Sequence, residues 1–110
     1  MKRGEIYLAE LPKGMGSEQS GLRPVVVIQN DCGNKHSPTT IVAVITSKRK
    51  TDVPTHVPLS AEKYNLKYDS TILAEQIFTL DKKRLHTKIS SLDLEDTAWL
   101  NEALRTSIWL

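Results

Sequence analysis

Arg23 stands at the head of PVVVIQN, a run rich in β-branched residues, directly after the polar stretch GSEQSGL. A guanidinium stays charged there, and burying it without an anion is costly. Its type and place leave two readings: a structural ion pair, or a group held for an anion that arrives with a ligand. Thr46 closes a second β-branched run, TIVAVIT, and Ser17, Gln19 and Gln76 are the other polar residues nearest strand ends. By its type alone, a threonine at that place is an ordinary strand former.

Other chemistries find less support. Cys32 and His36 lie four residues apart, a spacing that on a helix would set a thiol beside its base. NDCGNKHSP, however, reads as a turn-rich connection without such a helix, which makes Cys32 a passive turn residue. His36, His56 and His86 show no metal-ligand spacing, and one cysteine with three scattered histidines is a poor zinc set. No metal or cofactor is expected. GMGSEQSG is followed by a strand rather than the helix a phosphate cradle requires. Glu75 has no second carboxylate within STILAEQIFTL, so a paired-carboxylate mechanism is not expected either.

The elements that must position these residues are mainly strands. EIYLAEL (5–11) alternates Ile6 and Leu8 with Tyr7 and Ala9, as a first strand does. Residues 12–22, with Pro12, Gly14, Gly16 and Gly21, read as a long loop. PVVVIQN (24–30) and TIVAVIT (40–46) are apolar enough for central strands. A short strand over THVPL (55–59) leads to Ser60 as the cap of a brief helix through Tyr64. STILAEQIFTL (70–80) and LHTKISSL (85–92) follow as strands. Asp93 can cap a terminal helix with Glu95 and Asp96 in its first turn and Arg105 near its last, matching the macrodipole. Leu100, Ala103, Leu104, Ser107 and Ile108 make a stripe at helical spacing. Trp99 and Trp109 lie near it, one expected in the core and the alternative being the apolar centre of a dimer contact. The pattern predicts a mainly β fold with added helices, a small and strongly bent antiparallel sheet, in one domain over residues 1–110.

Charge bears on partners. Residues 1–92 carry fourteen Lys/Arg against nine Asp/Glu, and residues 93–110 carry one against four, so a basic body precedes an acidic tail. Lys48-Arg49-Lys50 and Lys82-Lys83-Arg84 concentrate that charge as a phosphate backbone would require. No apolar run approaches the roughly 20 residues needed to cross a bilayer. A single cysteine excludes an internal disulfide framework and fits a reducing compartment, so a cytoplasmic place is expected.

RGEIYLAEL, GSEQSGLRPVVVIQND, SPTTIVAVIT, PTHVPL and STILAEQIFTLDKKRL, in this order, resemble the MazF/PemK family of toxin endoribonucleases, in its Gram-positive branch. The resemblance implies a small SH3-like barrel with a C-terminal helix, working as a homodimer. It implies a toxin of a type II toxin–antitoxin system that cleaves single-stranded RNA, chiefly mRNA, at a short sequence and without metal. A MazE-like antitoxin with an acidic, disordered C-terminal segment is the implied partner. The family's essential arginine falls on Arg23 and its essential threonine on Thr46. The substrate-side loop falls on Gly16, Ser17, Glu18 and Gln19.

On that footing Lys48, Arg49 and Lys50 would hold the RNA backbone, while Gln19 and Gln76 would bond the edges of unstacked bases. His56, in the corner Pro54-Thr55-His56, is expected to contact a base or the dimer partner. The proton acceptor is not assigned. Lys13-Gly14-Met15 and residues 47–52 depart from the family pattern where bases would be read, so a UACAU-type target is an extrapolation. The rival class is a non-catalytic binding module, or a toxin that poisons a topoisomerase, on the same barrel.

Overall fold

The two β-branched runs form the middle of the sheet because both of their faces are buried. The computed structural model describes residues 1–12, 21–48 and 52–110. Strand β1 (Glu5–Leu11) pairs with β2 (Gly21–Val27), which pairs with β3 (Thr39–Thr46). Between β2 and β3 runs a short helix, α1 (Asp31–His36). Strand β4 (His56–Leu59) leads through helix α2 (Ala61–Tyr64) to the long β5 (Ser70–Asp81). A single 3₁₀ turn, Lys82–Arg84, precedes β6 (Leu85–Ser91), and α3 (Leu94–Ile108) follows. The strands lie in the order β4-β5-β3-β2-β1-β6, all neighbours antiparallel, in one sheet that curls into a half-barrel.

Curling gives the sheet two cores. Val26, Ala43, Ile45 and Ile72 face Leu100 and Ala103 of α3, together with Ile6, Val57 and Tyr64. Val25, Val27, Val42 and Val44 face the other way and pack with Ala9, Leu11 and Leu80. Burial on both faces explains why β2 and β3 read as near-continuous apolar runs rather than alternating ones. At β5 the ladder to β3 breaks: Ala43 pairs with Ile77 but Val44 with Leu73, so Ala74, Glu75 and Gln76 are looped out of it. Such an interruption bends a strand and re-aims its side chains.

The caps explain the helices. Ser60 accepts from the Lys63 N–H at 3.3 Å, and Asp93 from that of Asp96 at 2.8 Å. Lys63 reaches Asp93 at 2.5 Å, and Tyr64 donates its O–H to Asp96, which fastens α2 to the start of α3. Burial together with the Asp96 bond pushes the Tyr64 hydroxyl up to about 12. The Lys63 ammonium holds the Asp93 carboxyl below its ordinary value.

Three expectations need correction. DCGNKH is a helix, held by the Asn30 cap on the Gly33 N–H at 2.7 Å and by the buried Asn34 amide, which bonds Gln29 and Thr40. Strand β2 starts at Gly21 and ends at Val27, so Arg23 lies within the strand rather than at its mouth. Neither tryptophan is core: Trp99 is 46% and Trp109 93% exposed, because α3 turns Leu100 and Ala103 to the sheet and Trp109 follows its last turn in left-handed conformation.

Candidate active site

The β2–β3 register carries Val25 opposite Val44 and Val27 opposite Val42. Continued toward the start of β2, it sets Arg23 opposite Thr46, and opposed residues of antiparallel strands share a face. Arg23 is half-buried and pairs with Ala9 of β1, which fixes its backbone. Thr46 is 1% exposed. Its Oγ1 accepts the Lys48 N–H at 3.2 Å, and a hydroxyl that accepts can still donate its own proton.

The same face continues across β5 to β4. Val25, Val44, Leu73 and His56 form one row over four strands, and Thr46 stands one step of the same face along β3. Two interstrand spacings and one two-residue step separate His56 from Thr46, on the order of 10 Å between backbones. The corner that holds His56 is tied down: its N–H donates to the Val53 carbonyl at 3.0 Å, and Ala74 N–H to that of Thr55 at 2.9 Å. Its Nε2 lies 3.1 Å from Glu75 Oε2, the histidine side chain 12% and the glutamate 42% exposed. Burial acts to raise the Glu75 carboxyl, but hydrogen bonds from His56 and from backbone outweigh it and hold the group below its ordinary value.

The looped-out stretch of β5 therefore presents Glu75 beside His56, with Gln76 next to it in the same stretch and Pro54 exposed on the adjoining turn. Glu75 is the residue that sequence reasoning passed over. It lies nineteen positions from His56 and only the β4–β5 pairing unites them, so no local spacing could have flagged it. Lys48 is exposed next to Thr46. Ser17, Glu18, Gln19, Arg49 and Lys50 lie outside the described residues.

Two other features change on inspection. Cys32 and His36 do sit one turn apart on α1, both exposed, so the helix thought to be lacking is present. They stand at the far end of β2 and β3 from Arg23. The Lys82-Lys83-Arg84 cluster is partly spent within the chain: Lys82 Nζ donates to the Asn34 carbonyl, and Arg84 to that of Glu10 at 3.3 Å.

The sequence profile of a family described as PemK-like, MazF-like toxin of type II toxin-antitoxin system matches residues 2–108. The chain is 52% identical over 111 aligned positions to the endoribonuclease MazF of Staphylococcus saprophyticus, covering all of this chain and 92% of that protein. Among solved structures it is similar to MazF from Deinococcus radiodurans, with a TM-score of 0.83 at 22% identity over 100% of this chain and 97% of that one. It is similar also to an endoribonuclease in complex with its cognate antitoxin from Mycobacterial species, with a TM-score of 0.82 at 24% identity, covering 100% of this chain and 96% of that one.

Proposed function

The chain belongs to the PemK-like, MazF-like family of toxin endoribonucleases, and from that premise we propose that it cleaves single-stranded RNA, chiefly mRNA, at a short sequence through Arg23 and Thr46. The observation that carries the assignment is the register that continues to Arg23 opposite Thr46 at one end of the central strands. RNA brings its own nucleophile. The 2′-oxygen beside the scissile phosphate attacks phosphorus, the bond to the 5′-oxygen breaks, and the products are a 2′,3′-cyclic phosphate and a 5′-hydroxyl. Arg23 presents a planar fork of donors to phosphoryl oxygens whose charge grows in the transition state. Thr46 donates its hydroxyl to the same oxygens.

A proton must leave the 2′-hydroxyl and another must reach the 5′-oxygen. An arginine side chain stays protonated at neutral pH, so it is a poor acceptor and can serve only as a donor. His56, oriented by Glu75 on the same face, fits the accepting role or that of a contact to a base. Lys48, Arg49 and Lys50 carry the backbone; Ser17, Glu18 and Gln19 with Pro54 and Gln76 meet the bases. The mechanism uses no metal ion. Incubation with a long single-stranded RNA in EDTA, followed by mapping of the ends, tests it: cyclic-phosphate and 5′-hydroxyl ends are expected, and 5′-phosphate ends or strict dependence on Mg²⁺ would overturn it.

The partners follow the same chemistry. An extended acidic peptide offers regularly spaced anions as RNA does, so the acidic C-terminal segment of a MazE-like antitoxin would occupy the RNA groove, folding as it binds. A second copy of the chain would cover the apolar groove of about 470 Å³ between α3 and the sheet, lined by Ile28, Ile41, Ile77, Leu104, Ile108 and Leu110. Trp109 stands exposed beside it. Sedimentation should show a dimer for the native chain and a monomer for Ile108→Lys. The family profile, spanning nearly every residue, supports one endoribonuclease domain over residues 1–110. A cytoplasmic place is that of the mRNA substrate, and among the described residues no helix is long and apolar enough to cross a membrane.

A further inference from the structure

At the sheet end that carries Arg23, a cavity of about 230 Å³ is lined by Leu8, Leu22, Pro24, Ile45 and Leu66, and at its polar rim by Arg23, Ser47, Lys67, Tyr68 and Ser70. Two large side chains stand out of it into solvent, Leu22 at 57% and Tyr68 at 58% exposure. The Lys67 ammonium lies 5.5 Å from the centre of the Tyr68 ring. An exposed aromatic ring on a loop adds nothing to either core, so its place calls for another explanation. The Tyr68 carbonyl accepts the Ser70 hydroxyl at 2.7 Å, which steadies the backbone that carries the ring.

We propose that this cavity is a base-binding subsite, in which a nucleobase next to the scissile phosphate leaves its stack and lies against Tyr68 with Leu22 on its other side, while Lys67 meets the adjoining phosphate. The inference rests on the reading of Arg23 as the residue that holds the scissile phosphate. Arg23 also lines this cavity, whose other strand residues, Leu22, Pro24, Ile45 and Ser47, alternate with Arg23 and Thr46 and face the opposite side of the sheet. A strand held by its phosphate at Arg23 would bring its neighbouring nucleotide to the ring by passing round the end of β2 and β3. Stacking on an aromatic face is how unpaired RNA bases are commonly gripped, and it tolerates several bases. A cation over the ring strengthens it and answers the charge of the backbone. An acidic peptide fits the cavity less well, since its walls are mostly apolar.

The test starts from the mapped cut site. An oligonucleotide of that sequence, with a 2′-deoxy residue at the cut to prevent cleavage and 2-aminopurine on either side of it in turn, is titrated with the native chain and with Tyr68→Ala, Tyr68→Phe and Lys67→Gln. One of the two positions should be quenched by the native chain and by Tyr68→Phe. Tyr68→Ala should lose the quench and bind roughly 5- to 150-fold more weakly, the range of aromatic–base stacking. Lys67→Gln should lower the salt dependence of binding by about 0.7 per decade. Equal affinity and quench in Tyr68→Ala would overturn the subsite, as would loss of antitoxin affinity with RNA affinity intact. Cleavage by Arg23→Ala separates the two claims: near-native cutting removes the catalytic reading itself, whereas a dead Arg23→Ala with an unaltered Tyr68→Ala removes only the subsite.

Discussion

The two ends of the β2–β3 pair are built on opposite principles. At one end Gln29, Asn34, Thr39 and Thr40 saturate one another: Asn34 Nδ2 donates to the Gln29 carbonyl at 2.9 Å, Thr40 donates to Asn34 Oδ1 at 2.7 Å, and Gln29 Nε2 reaches the Thr39 carbonyl at 3.1 Å. Lys82 closes the same knot from β5's end. At the other end Arg23, Ser47, Lys67 and Tyr68 line an open cavity, and Thr46 lies buried beside them at the end of β3. Buried amides that satisfy each other hold a structure in one arrangement, and polar groups turned to a cavity are placed for a ligand. One pair of strands is thus tied off at one end and open to a cavity at the other.

Substitutions should separate the two ends. Arg23→Ala at the open end is expected to lower kcat/KM for RNA by roughly 10²- to 10⁴-fold, the range for a charge-stabilising or proton-transfer group. Its thermal midpoint should stay near that of the native chain; near-native cutting by a folded variant would end the assignment. Asn34→Ala at the anchored end should do the reverse. Leaving the Thr40 hydroxyl and the Gln29 carbonyl without their Asn34 partners costs about 1–3 kcal/mol of stability, read as a lower urea midpoint, with cleavage per folded molecule unchanged.

Thr46 tests how far the open end depends on one hydroxyl. Thr46→Val should cut more slowly by a smaller factor than Arg23→Ala, and Thr46→Ser should keep part of the rate; equal rates for native and Thr46→Val would make the residue a plain strand former. The smallest effect is the pH dependence of the His56–Glu75 contact. The Glu75 carboxyl lies below its ordinary 4.5 in the folded chain. Its stabilisation is therefore fully present above that value and is lost as pH falls through the lower, folded one. Half-exposed as the carboxylate is, the amount is under about 1 kcal/mol. Urea midpoints of native and Glu75→Gln chains should converge on acidification, and parallel curves would show that the contact carries no charge-dependent stability.

The anchored end was the harder one to foresee. Strand β3 was legible because all eight of its residues are β-branched or apolar without a break, and the caps Ser60 and Asp93 announce α2 and α3 by type. Helix α1 has no apolar stripe and contains Gly33; it stands on the Asn30 cap and on side-chain bonds to β3 that exist only once the sheet has formed. The break in β5 shows in ILAEQIF only as the polar pair Glu75-Gln76, which an unbroken strand could also carry; the partner strands set its place. Of the open end, Arg23 was conspicuous by type and position and Thr46 only through the family resemblance, while Glu75 required the β4–β5 register and Tyr68 the closing of a cavity.

The pairing of β1 with β6 also bears on how such a toxin can be made. Tyr7 meets Lys88, Ile6 meets Ser90, and Ile6 shares a core with Leu100 and Ala103. The first strand to leave the ribosome must wait for the last strand and the terminal helix, a long-range closure that comes late in folding. Arg23 and Thr46 emerge early, yet the sheet that seats them is complete only when nearly the whole chain has been synthesised. An endoribonuclease of this build is thus incomplete on any nascent chain that still lacks β6 and α3.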